Sequence, residues 1–432
     1  MEIKSVTNVQ EYNQQGQVLY SVGNFEEAIA MYRKAEAEDP MYEQTYLNMG
    51  EALVMLDRYD EAKAVFGKVL ILNKQSGVAY FHLGNVEFLL GKNDAGRELY
   101  AKAVNNGYDD AQLYFNLGTV FEDLNESEEA VKCYNKAIVK DKFRADAKLR
   151  KAQIYIRDDK FTEAVQALDS MIETNPEIFE GHHYKIILLI DQEKLVEAEK
   201  ALKKALGLFP DDDGFKFDKV LLLVKQEKYD EAIAVMDTEM TDNTSRDVRL
   251  EKAKVLMAQS KIDEGLELLE SIRQGEGEQF DAEVRFFLVS VYANQGNHEK
   301  ALALSTEIIK NGEEDSYFFS AVFFAAESLN KLGRAEEAKI AYEEAVKILR
   351  SASSSNPEML DIIIYRALCY KALKQYDKAF EMVNYLLAVN EDMGEAYLIR
   401  SELHRELNEL DKAEADRATA ASKSKVLNML IQ

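Results

Sequence analysis

The stretch Ala111 to Lys142, AQLYFNLGTVFEDLNESEEAVKCYNKAIVKDK, sets the pattern that most of the chain repeats. Tyr114, Leu117 and Phe121 lie three and four positions apart, so they share one face of a predicted helix, and Gly118 lies between them. A polar turn follows, and a second predicted helix carries its apolar residues at the same helical spacing. Both helices are polar on their other side, so a single hairpin needs neighbouring copies to cover its apolar surface.

Composition supports an all-helical chain with an acidic surface. The 432 residues include four prolines and no tryptophan, and 53 basic residues stand against 78 acidic ones, for a formal charge of −25. This charge repels nucleic acid and anionic lipid, so neither is expected as a partner. No apolar run is long enough to span a bilayer, so we predict no membrane insertion and a cytoplasmic protein.

The hairpin pattern recurs along the chain. From Val9 onward, seven copies follow one another in a strict 34-residue register, and the place of Gly118 is glycine in the three copies before it, at Gly16, Gly50 and Gly84. Beyond the seventh copy the spacing loosens, but a turn followed by alanine still marks each hairpin. About twelve hairpins are predicted in all.

These residues resemble the tetratricopeptide repeat family, whose hairpins place an aromatic residue, then Leu-Gly, then another aromatic residue in the first helix. The segment from Tyr114 to Phe121 matches that pattern. The resemblance implies an all-α, right-handed α-α superhelix, a solenoid whose first helices line a concave groove. Ile186, Val220 and Val289 occupy the small site of the pattern, and we expect them to push the two helices of their hairpins apart.

The sequence predicts four segments. Residues 1–350 form an array of about ten repeats, 351–357 (SASSSNP) a loop or a hinge, 358–421 two further hairpins, and 422–432 a capping helix. A slightly longer surface loop remains the alternative to a hinge at 351–357. The last segment could instead dock elsewhere or pair two chains.

No motif in the chain predicts catalysis. The five histidines lack the HExxH spacing of a zinc site, and no phosphate-binding glycine loop or nucleophile elbow is present. His182 falls at a core position of its hairpin, where a packed residue is expected rather than a metal ligand. Cys133 and Cys369 lie on separate hairpins and are predicted to be buried thiols without a disulfide. We therefore predict a non-enzymatic protein without cofactor or metal.

The resemblance implies which side chains face the groove. In the amino-terminal half, a set of mainly polar residues occupies the groove positions of the family: Asn13, Gln17, Asn48, Phe81, His82, Asn116 and Arg150. An asparagine amide both donates and accepts, so it could bond the backbone of an extended peptide whatever its sequence. The competing interpretation is that these asparagines are ordinary solvated helix residues.

Farther along, the same positions become aromatic. They carry Phe286 and Phe287, Phe323 and Phe324, and Tyr365 in three successive first helices. If every ring were core, these helices would be apolar around an unusually wide arc, so we expect one ring of each pair to face the groove as a binding anchor. The alternative is that irregular spacing lets the rings fill gaps between hairpins.

The charge of the groove limits the kinds of partner that can bind there. The lysine and arginine residues of a clamp for a terminal carboxylate are absent from the first three repeats, where Asn48 alone matches, and acidic groove residues outnumber basic ones farther along. We therefore predict a scaffold or adaptor that binds a basic or amphipathic protein segment. The alternative function is a regulator that changes superhelical conformation when a peptide or small ligand binds. The partner's identity and the oligomeric state stay open.

Overall fold

The computed structural model describes residues 8–275, 281–312, 316–355 and 359–423, and within these ranges the chain forms 24 helices and no strand. The order of these helices is that of twelve hairpins, the number expected, and the two helices contact each other in each of the eleven hairpins that lie within one unit. The chain divides into two compact units, Met1–Leu222 and Leu223–Gln432, and the division falls within α13. Each unit has its own buried apolar clusters.

The first unit contains helices α1 to α12 and the first part of α13. Their bounds are α1 Asn8–Ser21, α2 Phe25–Glu38, α3 Glu43–Val54, α4 Tyr59–Leu72, α5 Gly77–Leu89, α6 Asn93–Asn105, α7 Ala111–Asp123, α8 Ser127–Lys140, α9 Ala145–Arg157, α10 Phe161–Thr174, α11 Phe179–Asp191, α12 Leu195–Leu208 and α13 Asp213–Lys225.

The second unit contains the end of α13 and helices α14 to α24. Their bounds are α14 Tyr229–Thr238, α15 Arg246–Ala258, α16 Ile262–Gly275, α17 Ala282–Asn294, α18 His298–Asn311, α19 Ser316–Lys331, α20 Ala335–Ser355, α21 Leu360–Ala372, α22 Tyr376–Val389, α23 Gly394–Glu406 and α24 Leu410–Lys423.

The turn inside each hairpin uses one residue with a left-handed backbone. In the quoted hairpin this residue is Asn125, with φ of 59°, and the next amide, that of Glu126, donates to the carbonyl of Phe121 at 2.8 Å. This closes the end of α7, since a left-handed residue lets the chain satisfy the last free carbonyls of a helix. The same conformation recurs in the other eleven hairpins of the described chain.

Close packing inside a hairpin depends on a small site in the first helix. At Gly118 an added Cβ would lie 2.6 Å from the ring of Tyr134, which is fully buried in the second helix. Gly16 faces Tyr32 in the same way, and Gly50 faces Phe66, each at 2.3 Å. Glycine therefore allows an aromatic ring to lie directly on the backbone of the partner helix.

Where a larger residue occupies the small site of the first helix, the residue facing it in the second helix is smaller. Sixteen positions after Ile186 stands Leu202 instead of an aromatic residue, and sixteen positions after Val289 stands Ser305, with all four side chains buried. The volume added in one helix is thus offset in the other, which core packing tolerates. The expectation that Ile186 and Val289 push their helices apart omitted this exchange.

A second position, four residues before the small site, joins several of the first helices to the loop that precedes them. Tyr46 donates its hydroxyl to the carbonyl of Pro40 at 3.0 Å, and the ammonium of Lys148 donates to the carbonyl of Lys142 at 2.6 Å. His182 does the same from Nε2, 3.0 Å from the carbonyl of Pro176. His182 is therefore a packed structural residue, as expected, and its ring binds a loop carbonyl.

The segment expected to be a loop at 351–357 begins as helix. α20 continues to Ser355, Ala352 is buried, and the hydroxyl of Ser354 donates to the carbonyl of Arg350 at 3.0 Å. Arg366 of α21 also donates from Nη1 to Ser353 Oγ at 2.8 Å, which fixes this turn to the next hairpin. Residues 356–358 lie outside the described ranges, and the hinge remains a prediction.

At the carboxyl end, α24 continues through Lys423. Residues 424–432, the main part of the segment predicted as a capping helix at 422–432, lie outside the described ranges.

Candidate functional site

The residues predicted to bind a partner lie on first helices, and successive first helices contact one another in both units. In the first unit the predicted amides bond to one another. Asn13 donates to Thr45 Oγ1 at 2.8 Å, Asn48 donates to Asn13 Oδ1 at 3.3 Å, and Gln44 donates to Asn48 Oδ1 at 2.8 Å. Asn13 and Asn48 are 5% and 6% exposed, so they join α1 to α3 and are not open groove residues. Gln17 is exposed.

The next groove residues of the first unit are also occupied by internal contacts. Phe81 is buried and stacks on Tyr108 with ring centroids 4.8 Å apart. Asn116 donates to Asn85 Oδ1 at 2.8 Å. The exposure predicted for Phe81 is therefore wrong, because the ring fills the space between two hairpins. Arg150 is exposed.

His82 lies between an aromatic ring and a carboxylate. Its ring stacks on Phe66 at 5.0 Å, and Nε2 is 3.5 Å from Glu51 Oε1. Burial lowers the pKa of His82 to about 4 and raises the pKa of Glu51. Burial dominates the His82 pKa because an imidazolium on this ring face would lose most of its hydration. The imidazole is thus neutral and structural at neutral pH.

In the second unit, the predicted aromatic residues form one connected cluster, here called the ring cluster: Phe286, Phe287, Phe323, Phe324 and Tyr365. It crosses three first helices, α17, α19 and α21. Phe286 contacts Phe324 with centroids 6.2 Å apart, and Phe323 stacks on Tyr365 at 5.5 Å. The positions that the sequence analysis assigned to the groove of this unit therefore contact one another.

Exposure differs within the ring cluster. Phe323 is buried, at 9% exposure, whereas the other four rings are half-buried. In the α19 pair, Phe323 joins the core and Phe324 is half-buried. In the α17 pair both rings are half-buried. Phe286 is partly covered by Tyr317, with ring centroids 5.6 Å apart. The half-buried rings thus pack between hairpins and also keep part of their surface exposed.

Charged residues border the ring cluster. The ammonium of Lys254 lies 4.9 Å from the centre of the Phe287 ring, a cation–π contact, and 3.5 Å from Glu283. Acidic residues occupy the first turn of α17, α21 and α23, at Glu283, Asp361 and Glu395. Because the first helices of the unit run side by side in the same direction, these carboxylates lie along one edge of the groove.

The opposite edge holds a cavity of about 520 Å³ at the last turns of α19 and α21. Phe323 and Leu368 form part of its wall, so it adjoins the ring cluster. Its charged lining includes Lys331, Lys371 and Lys374. This cavity was not predicted from the sequence, although the lysine at the hairpin turn, Lys374, was a signal for it.

Possible metal ligands and thiols are the remaining reactive groups of the described residues. Among the residues that the structure describes, no three or more His, Cys, Asp or Glu side chains are placed to hold a metal ion. Burial raises the pKa of the Cys133 thiol to about 11 and that of Cys369 to about 12, so both thiols are protonated at neutral pH. No helix in the described ranges is long and apolar enough to cross a membrane.

Comparison with known protein families gives one consistent result. Models described as tetratricopeptide repeat match residues 19–83 and 189–238, residues 81–145, 115–177 and 250–316, and residues 319–348. Together they leave only 178–188, 239–249 and 317–318 unmatched between residues 19 and 348. A search of curated proteins gave no match.

Three solved structures illustrate the likeness. A MamA structure is 24% identical, covers 38% of this chain and 95% of its own, and has a TM-score of 0.34. YrrB, described as a TPR protein with an unusual peptide-binding site, is 21% identical over 44% and 97%, with a TM-score of 0.37. The Cut9–Hcn1 hetero-tetramer of APC/C is 11% identical over 99% and 96%, with a TM-score of 0.42. At these values the structures carry no information about function.

Proposed function

The chain belongs to the tetratricopeptide repeat family, and on that premise we propose that it is a non-enzymatic scaffold or adaptor that binds an amphipathic protein segment. The site is the groove of the carboxyl-terminal unit, at the ring cluster. The partner segment places its apolar side on the rings and basic residues toward the acidic edge.

The observation that carries the proposal is the ring cluster itself. Phe287, Phe324 and Tyr365 keep exposed area on three neighbouring first helices, while the rings beside them are held by core contacts. Rings that are already fixed lose little freedom when a partner covers them, so their apolar area contributes to affinity efficiently. Clustered aromatic residues of this kind are typical anchors of a protein interface.

Charge supports an amphipathic partner with a basic edge. The protein carries −25 overall, and Asp361 and Glu395 lie exposed at the start of neighbouring first helices. A basic edge on the segment would meet these carboxylates, which raises the association rate and fixes orientation more than it adds affinity. The rings would supply most of the binding energy.

The test is selection of peptides by the full-length protein from a random-peptide phage library, followed by affinity measurement with labelled synthetic peptides. The site variant is Phe287→Ala/Phe324→Ala/Tyr365→Ala, which spares the buried Phe323. Loss of one interface anchor costs about 2 kcal/mol, about 30-fold in affinity, so the triple variant should bind too weakly to measure.

The control is Ile340→Ala, which removes an apolar side chain that is 56% exposed on α20, the second helix of the α19 hairpin. It should bind selected peptides like the wild type. Circular dichroism must show both variants folded. If the triple variant keeps wild-type affinity for the selected peptides, the ring cluster is a packing feature and the proposed site is wrong.

A further inference from the structure

Two Asn-Gly pairs occur in the chain, Asn106-Gly107 and Asn311-Gly312, and each lies at the carboxyl end of a second helix, α6 or α18. An asparagine followed by glycine can react with its own backbone, because glycine has no side chain to hinder the approach of its nitrogen to the asparagine amide. Whether this reaction occurs in a folded protein depends on how the fold holds the two reacting groups.

The fold holds both reacting groups at the first pair. The side-chain amide of Asn106 donates from Nδ2 to the carbonyl of Lys102 at 2.7 Å. The backbone amide of Gly107, which has a φ of 80°, donates to the carbonyl of Val104 at 3.0 Å. Both hydrogen bonds must break before the nitrogen of Gly107 can reach the side chain of Asn106, so this turn protects the asparagine.

The second pair lacks both hydrogen bonds. Asn311 is the last residue of α18, and its exposed side chain makes no hydrogen bond with any residue that the structure describes. The backbone amide of Gly312, which has a φ of 78°, likewise has no acceptor within the described ranges. Because helix ends fray, only the last residue of α18 must turn to bring the two groups together.

We propose that Asn311 is a site of spontaneous deamidation and isomerisation in the folded protein, and that Asn106 is not. The backbone nitrogen of Gly312 loses its proton to hydroxide and forms a bond to Cγ of Asn311. The bond from Cγ to Nδ2 then breaks, and the leaving nitrogen takes a proton from water and departs as ammonia. Water opens the resulting succinimide ring at either of its carbonyl carbons, which leaves aspartate or isoaspartate at position 311. This reaction does not depend on the proposed partner.

The hydrogen bonds that protect only Asn106 set the expected difference in rate. Both pairs have the same two residues, so their intrinsic chemistry is alike. One net hydrogen bond corresponds to a factor of about five in a rate, so two correspond to about 30-fold. In the folded protein, Asn311 should therefore deamidate about 30 times faster than Asn106.

The modification would change the end of α18. A carboxylate at position 311 adds negative charge at the carboxyl end of the helix, where the helix dipole is already negative. Isoaspartate also lengthens the backbone by one carbon atom. Since α18 packs against α19, and Ile308 one turn earlier is part of a buried cluster, aged protein should melt at a lower temperature than fresh protein.

The test follows both sites in one sample of the full-length protein. Folded protein is incubated at neutral and at alkaline pH, digested under acidic conditions and analysed by mass spectrometry with electron-transfer fragmentation, which distinguishes aspartate from isoaspartate. The peptide with Asn311 should gain the deamidated mass about 30 times faster than the peptide with Asn106, and it should contain both products. Alkaline pH should accelerate the reaction, because the attacking nitrogen must lose its proton.

The unfolded chain is the matched control. In concentrated guanidinium chloride both pairs lose the contacts of the fold, so the two deamidation rates should become similar. Asn311→Gln supplies the second control, because a glutamine cannot form the same five-membered ring. This variant should keep its melting temperature through the incubation, which would assign the change in the wild type to Asn311.

Three results would overturn the proposal. Asn311 could remain an amide for as long as Asn106 does in the folded protein. The product could be aspartate without isoaspartate, which would mean direct hydrolysis of the side chain and no succinimide ring. The difference in rate could also persist in guanidinium chloride, which would mean that neighbouring residues in the sequence cause it and the fold does not.

Discussion

The small site of the hairpins can be tested by the same substitution at two glycines. Gly118→Ala places a Cβ 2.6, 2.8 and 2.9 Å from Cε1, Cδ1 and Cζ of Tyr134. Gly67→Ala, in α4, places a Cβ with nothing within 4 Å. Both glycines lie in helices of the first unit, so the gain in helix propensity is the same and only the steric contact differs.

The magnitudes decide the sign of each effect. Alanine favours a helix over glycine by about 1 kcal/mol, so Gly67→Ala should stabilise its hairpin by that amount. At Gly118 the same gain is opposed by overpacking, which costs about 1–3 kcal/mol. The ring of Tyr134 cannot move away easily, because it is fully buried and its hydroxyl donates to Glu122. Gly118→Ala should therefore be neutral to about 2 kcal/mol destabilising.

A double substitution identifies the cause. The neighbouring hairpin has Ala152 where this one has Gly118, and it has Leu168 where this one has Tyr134. In a Tyr134→Leu background, Gly118→Ala should recover its favourable sign, with a coupling energy of about 1–3 kcal/mol between the two sites. Native-state hydrogen exchange of α7 and α8 is the suitable assay, because repeat arrays need not unfold in one step.

The reasoning is refuted if Gly118→Ala stabilises α7 and α8 as much as Gly67→Ala stabilises α4. It is also refuted if Tyr134→Leu leaves the effect of Gly118→Ala unchanged. The first result would mean that the ring adjusts to the added methyl group without cost, and the second would mean that the contact with the ring does not cause the effect.

Three further predictions follow from individual contacts. The buried ammonium of Lys148 donates to the carbonyls of Lys142 and Ser170, so Lys148→Met should lower the free energy of unfolding by about 1–3 kcal/mol. Lys148→Tyr should be tolerated, because Tyr46 and Tyr80 make the equivalent bond in their hairpins. Thermal unfolding of the two variants compares these effects. His183 Nδ1 is 2.9 and 3.0 Å from the carboxylate oxygens of the fully buried Asp218, and the pKa of each group is raised, His183 by this hydrogen bond and Asp218 by burial. The folded state thus binds protons more tightly, and the stabilisation from His183, complete below pH 6.5, should be lost as pH rises through the raised pKa of His183. Across this pH range the melting temperature should fall more for the wild type than for His183→Gln. An equal fall in the two proteins would contradict the assignment of this pH dependence to His183. Lys374→Gly should stabilise its hairpin by about 1 kcal/mol by relieving the left-handed backbone, and a lower melting temperature would show that the side chain stabilises the fold.

Much of the candidate site could be predicted because the repeat fixes which positions share a face. The resemblance to the repeat family assigned Phe286, Phe324 and Tyr365 to one surface, and in the structure Phe324 contacts the other two rings. Exposure could not be predicted in the same way. Whether Asn48 or Phe81 is open depends on side chains outside its own hairpin, and a single helix pattern does not contain that information.

The sequence by itself determined the helical hairpins, their number and their small sites, because these follow from local spacing, turn residues and residue volume within about 34 positions. It also determined the acidic character of the surface. Only the tertiary structure decided which groove residues are open. It turned Asn13 and Asn48 inward onto each other, left the edges of Phe287 and Phe324 exposed, and placed Lys331 beside Lys371 and Lys374 around one cavity. The physical reason is that burial and cavity shape arise where separate hairpins meet, and close packing there depends on residues far apart in the chain.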